Sequence, residues 1–211
     1  YRYMNWSIDV PVLLVQLLVV TPIAMKKRIN YGVQFVIGGL IMVWASWWAQ
    51  FYEQGNQVEG VSIAQFWGGY IVGWIGYVWI LAVVFKVVAD CKREWGPRSP
   101  FQKWMNAIAT LLAISWTGYA FAILQPIFWW SPASGVTRQI VFTLCDISSK
   151  AIYGVMLGML ASQLSKAEGY DTNISWEIWK NDAKRFNRAA EHVSNETPRG
   201  SSPEFSKGAD A

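Results

Sequence analysis

Charge is scarce in this chain. Asp, Glu, Lys and Arg make up 15% of its 211 residues, against roughly 25% in ordinary soluble domains. Residues 31–52, 61–85 and 104–137 contain none of the four. Each run exceeds the ~20 apolar residues that a membrane-spanning helix needs, so the composition points to an integral membrane protein. Histidine is almost missing as well, since His192 in the polar tail is the only one. There are two cysteines. Cys91 is read in a basic loop and Cys145 in an apolar helix, so no Cys/His metal cluster is available and no disulfide between them is expected. A Gly-rich phosphate loop and a Ser/His/Asp set that could gather at one site are also absent, and nothing suggests an enzyme or a nucleic-acid partner.

Apolar and aromatic residues fill that space: 53% of the chain is hydrophobic and 16% aromatic, with 14 Trp. Membrane proteins place Trp at their interfaces. Five spanning helices are expected, over 3–24, 31–52, 61–88, 102–128 and 136–164. Gly38-Gly39 in the second and Gly68, Gly69, Gly73 and Gly76 in the third would allow close helix contact in lipid. Lys26, Lys27 and Arg28 fall between helices one and two, and Lys86, Lys92, Arg93, Arg98 and Lys103 between three and four. The other two loops carry Glu53, Glu59 and Arg138. Because positive loops stay inside, the chain is expected to cross the inner (plasma) membrane several times, beginning outside and ending in the cytoplasm.

Tyr1-Arg2 leads straight into an apolar helix, and the chain is expected to be a piece lacking an N-terminal part. Residues 1–165 read as the transmembrane domain. The segment 166–193, with Trp176, Trp179 and Phe186 among Lys and Arg, suits either an amphipathic helix along the inner surface or a solvated one. The tail 194–211 has a disordered composition.

Ionisable groups at membrane depth are functional candidates by default. Four stand out: Arg2 and Asp9 on the first helix, Asp146 and Lys150 on the last. Asp146 and Lys150 are i,i+4 and hence neighbours on one helix face. They form either a structural ion pair or the setting of a reactive amine, since a desolvated lysine is suited to Schiff-base chemistry. At 100° per residue, Arg2, Asn5, Asp9 and Gln16 fall on one stripe about 21 Å long. Such a stripe serves a polar helix–helix contact or an ion path.

These residues carry a resemblance. "RYMNWSIDVP" resembles the third helix of microbial rhodopsins, "SWTGY" their sixth and "DISSKAIYG" their seventh. The resemblance runs in correct order from residue 1 to about 165. It implies an all-α, seven-helix membrane bundle around all-trans retinal, of which this chain supplies five helices, the third to the seventh. It further implies Lys150 as the Schiff-base lysine, Asp9 and Asp146 as its counter-charges, with Asp9 the proton acceptor, and Trp6, Trp116, Tyr119 and Met42 as retinal contacts. Ala120 stands where proline is usual in the family, and Ile123 where an aromatic residue is common.

Asn5, Asp9 and Gln16 match the Asn-Asp-Gln set of the light-driven sodium pumps within that family. The resemblance therefore implies outward Na⁺ transport, with Na⁺ held transiently near Asn5 and Asp146. Arg2 and Ser149 would belong to the ion path, and Glu53 and Arg138 to an outer gate. A carbonyl oxygen at Asn5 suits a small hard cation and takes no proton at neutral pH. Other possibilities are an outward proton pump, also expected without sodium, a photosensor, and a retinal-free helical transporter. A homo-oligomer in the lipid bilayer is the expected assembly.

Overall fold

A computed structural model of the chain describes residues 2–55, 58–129 and 131–169. The expected surface helix beyond residue 169 and the tail 194–211 lie outside these residues. Five helical rods account for the described chain. They are α1 (Arg2–Val19), α2 (Met25–Phe51), α3 (Ile63–Trp95), α4 (Pro100–Phe128), and a last rod built of α5 (Pro132–Asp146), a π-helical segment (Ile147–Ile152) and α6 (Tyr153–Ala167). The described residues up to Leu164 form one compact unit. Four of the rods are long and apolar enough to cross a membrane, and α1 is the rod that carries the polar stripe.

Local chemistry marks the ends. Ser99 accepts a hydrogen bond from the Phe101 N–H ahead of α4, with Pro100 in its first turn, where a missing donor costs nothing. Ser131 and Ser134 form a reciprocal capping box at α5, again followed by a proline, Pro132. Gly96 closes α3 at φ +83°, and its N–H returns to the Lys92 carbonyl. An L side chain would resist that left-handed conformation.

Apolar side chains face both ways, as a bundle in lipid requires. Leu14, Phe35, Ile80, Met105 and Leu112 are buried between the rods, while Ile8, Val12, Ile71, Ile75, Ile140 and Leu144 point outward. α2 and α3 pack most closely, through glycine. A Cβ on Gly76 would stand 2.8 Å from the Met42 nitrogen, and one on Gly69 2.9 Å from the Ala45 carbonyl oxygen. Gly38 meets the same seam, whereas Gly68 faces open space.

The helices extend further into the charged regions than the sequence reading placed them. Lys26, Lys27 and Arg28 lie in the first turn of α2, and Lys86, Cys91, Lys92 and Arg93 lie inside α3. Cys91 is therefore a buried helix residue rather than a loop residue. Backbone hydrogen bonding continues past the hydrocarbon edge, and long basic stems reach outward from helix ends. Asp90, overlooked in the sequence, gathers these charges. Its carboxylate accepts from Lys27 Nζ at 3.2 Å, Arg93 at 3.3 Å and the Tyr31 hydroxyl at 3.0 Å. At the opposite end, Arg138 pairs with Glu53 at 2.6 Å and Arg2 donates to Gln139 Oε1 at 2.5 Å. The start of α1, the end of α2 and the start of the last rod thus share one end of the bundle.

Candidate functional site

Mid-bundle, the last rod departs from α-helical geometry at Lys150. The Tyr153 N–H reaches back to the Ser148 carbonyl, an i→i−5 bond. Such wide turns occur mostly where a helix serves a site. The widened turn keeps Lys150 and Asp146 on one side and turns Ser149 inward, where it is 2% exposed. Tyr153 below it is fully buried and donates from its hydroxyl to the Leu13 carbonyl at 2.7 Å, tying the rod to α1.

Lys150 Nζ donates to Asp9 Oδ2 at 2.8 Å and lies 3.2 Å from Asp146 Oδ1. The Tyr119 hydroxyl, from α4, donates to Asp146 Oδ1 at 2.6 Å and lies 3.3 Å from Ser149 Oγ. One amine and two carboxylates contributed by two helices therefore share a site, and a third helix supports it. All three charged side chains are only about a third exposed. With all ionised, the cluster carries one excess negative charge, which a proton or a monovalent cation would balance.

The cluster opens onto an apolar cavity between α1, α2, α3, α4 and the last rod. About 700 Å³ of empty space, its open mouth included, lies between its lining atoms. Lys150, Asp9, Ser149 and Ser46 are among its polar lining, and Trp6, Trp116, Tyr119, Met42 and Ile123 among its walls. Trp6 sets the geometry, meeting Tyr119 edge-to-face at 5.0 Å and Phe142 at 5.6 Å. Such pairs are worth about 0.5–1.5 kcal/mol each beyond area burial. A primary amine on the wall of an apolar cavity, held between carboxylates, fits covalent attachment of a long apolar aldehyde such as retinal.

The structure brings Asp9, Lys150, Ser149, Tyr119, Trp6, Trp116 and Met42 to the wall of one cavity, with Asp146 in contact with Lys150 and Tyr119. It does not gather the whole polar stripe. Asn5 and Gln16 are exposed on α1 and share no hydrogen bond with the cluster among the described residues. Arg2 sits at the Asn5 end of the helix, with Gln16 at the other, and its guanidinium carbon lies 4.7 Å from the Phe142 ring centre and 5.8 Å from that of Trp6. Glu53 and Arg138 form a nearly buried pair rather than lone surface charges. Sequence reasoning missed Ser46, Gly73, Trp74 and Tyr77 of the cavity wall. Only their outward neighbours' apolar character could have hinted that α2 and α3 turn this face inward. Ala120, which keeps the N–H a proline would lack, lies within an unbroken α4 and accepts from the Tyr70 hydroxyl at 3.2 Å.

Comparison with known proteins gives a consistent picture. A family model described as bacteriorhodopsin-like protein matches residues 1–164. Opsin-1 of Neurospora crassa is 24% identical over 163 residues, which cover 74% of this chain and 47% of that protein. Among solved structures, thermophilic rhodopsin is 25% identical with a TM-score of 0.69, matching 80% of this chain and 64% of its own. Xanthorhodopsin, a light-driven ion pump with dual chromophore, is similar in fold, with a TM-score of 0.70 and 24% identity over 81% of this chain and 65% of its own. The chain spans about half the length of the curated relative and under two thirds of these two structures.

Proposed function

Because this chain belongs to the bacteriorhodopsin-like family, we propose that it is the greater part of a retinal-bearing, light-driven pump that exports Na⁺. The observation that carries this is Lys150 Nζ, set between Asp9 at 2.8 Å and Asp146 at 3.2 Å on the wall of an apolar cavity. Retinal, joined covalently at Nζ, would supply visible-light absorption and a light-driven change of shape. Trp6, Trp116, Tyr119 and Met42 would hold it.

Asp9 makes the shorter contact and has no other described donor, so it is the carboxylate best placed to take a proton from Nζ. That transfer cancels the Lys150 and Asp9 charges together. Asp146, fixed by Tyr119 at 2.6 Å, is then no longer faced by a lysine charge, and a monovalent cation can enter where that charge had opposed one. Return of the proton to Nζ restores the positive barrier behind the departing ion. Arg2, Glu53 and Arg138 lie toward the exit end.

Sodium rather than the proton is supported by Asn5 and Gln16. Neither titrates, so neither can relay protons as a carboxylate would, and with Asp9 they match the sodium-pump set. Both occupy the exposed face of α1, which fits a bundle with further helices laid across it and the ion path between. A protomer of this kind sits in the bilayer as part of a homo-oligomer with its C-terminus in the cytoplasm.

Two measurements test this. The full-length protein given retinal should show a visible absorption band that Lys150→Ala abolishes; a band that survives the substitution sinks the retinal assignment. Illuminated cells in NaCl should then make the medium more alkaline, and more so with a protonophore, as H⁺ enters passively against exported Na⁺. Acidification that a protonophore abolishes would identify a proton pump instead.

A further inference from the structure

α4 and the last rod meet beside the charged cluster through two adjacent pairs of residues, Gly118-Tyr119 and Cys145-Asp146. A Cβ built on Gly118 would stand 2.6 Å from Cys145 Sγ, where non-bonded heavy atoms settle at roughly 3.5–4.0 Å. Cys145 is itself buried, so the thiol has neighbours on its other sides as well. One residue further along each helix, the Tyr119 hydroxyl meets Asp146 Oδ1 at 2.6 Å. The absence of a side chain at 118 thus coincides with the closest polar contact between these helices.

We propose that Gly118 is a positioning residue: by resting α4 directly on Cys145 it sets the helix spacing that lets Tyr119 hold Asp146. This rests on the assignment of Asp146 as a counter-charge beside the retinal-bearing lysine. The sensitivity follows from hydrogen-bond geometry. Relieving the Gly118→Ala contact by parting the helices requires a movement of roughly 1 Å. The same movement would take the Tyr119–Asp146 contact to about 3.6 Å, where no hydrogen bond remains. Asp146 would then keep Lys150 as its partner and lose the donor that distinguishes it from Asp9.

The test uses the full-length protein. With retinal bound, Gly118→Ala should shift the absorption maximum, and adding Cys145→Ala should return it. In a Tyr119→Phe background, Gly118→Ala should cause no further shift, because the hydrogen bond it disturbs is already gone. An unmoved band, or an equal shift with and without Tyr119→Phe, would overturn the proposal. If Gly118→Ala yields no folded protein, Cys145→Val crowds the same contact from the other helix and is subject to the same comparison. In the apoprotein, the infrared carboxylate stretch assigned by Asp146→Asn should move with Gly118→Ala and return with Cys145→Ala, and a stretch that does not move counts against the proposal. A parent protein with no visible band would overturn the retinal assignment alone, leaving the infrared result to decide the role of Gly118.

Discussion

Asp9 and Asp146 differ in what else they touch. Asp9 has Lys150 as its described donor, whereas Asp146 also receives the Tyr119 hydroxyl. In the proposed cycle Asp9, which faces Lys150 alone among the described donors, takes the proton, and Asp146, fixed by a donor from α4, stays in place beside the cation path. Asp9→Asn should therefore abolish light-driven transport while retinal still binds, measured as ion flux beside the visible band; retained pumping would assign proton uptake elsewhere. Glu53 and Arg138 illustrate a different kind of charge. Their side chains are 10% and 13% exposed, so removing one partner strands the other. Glu53→Gln should cost about 3–5 kcal/mol, read as a lowered thermal midpoint, and Arg138→Met added to it should recover part of that loss. Lys150, Asp146 and Asp9 were legible in sequence because charge in an oily run stands out. The Glu53–Arg138 pair was not, since 85 residues separate them and each alone looks like a surface charge.

At the scale of elements, glycine decides which helices touch. Gly69 and Gly76 bring the α2 and α3 backbones together, and Gly76 is the tighter case, with the Met42 nitrogen 2.8 Å from any added Cβ. Backbone cannot move aside as a flexible side chain can. Gly76→Val should part the helices, widen the wall that Met42 and Tyr77 form, and lower thermal stability by at least the 1–3 kcal/mol typical of overpacking. Gly68→Val, at a position with nothing within 4 Å, is the control and should leave the melting curve in place. All the helices could be read from their apolar runs. Their ends could not, because Lys and Arg at residues 26–28 and 86–93 look like loop while the backbone remains helical. The π-helical segment at Lys150 was equally hidden, since the sequence "ISSKAI" has no local breaker, and the contact that follows it, Tyr153 on the Leu13 carbonyl, joins residues far apart in the chain.

For the whole molecule, the two ends of the bundle are chemically unlike. One carries Lys26, Lys27, Arg28, Lys92, Arg93, Arg98 and Lys103, of which Lys27 and Arg93 meet the buried Asp90, whereas the other holds the Arg2–Gln139 contact and the neutralised Glu53–Arg138 pair. Moving the basic end across a membrane would mean dehydrating many cations, so insertion should leave it in the cytoplasm. In the proposed pump that orientation would set the direction of transport, with Gln16 on the intake side of Lys150 and Arg2 on the exit side. Glu59 and Arg98 are exposed at opposite ends, and both native cysteines are buried, so single introduced thiols can report sidedness. On intact cells an impermeant maleimide should label Glu59→Cys and reach Arg98→Cys only after lysis. The reverse pattern would turn the bundle over, and the same photochemistry at Lys150 would then carry its ion into the cell rather than out.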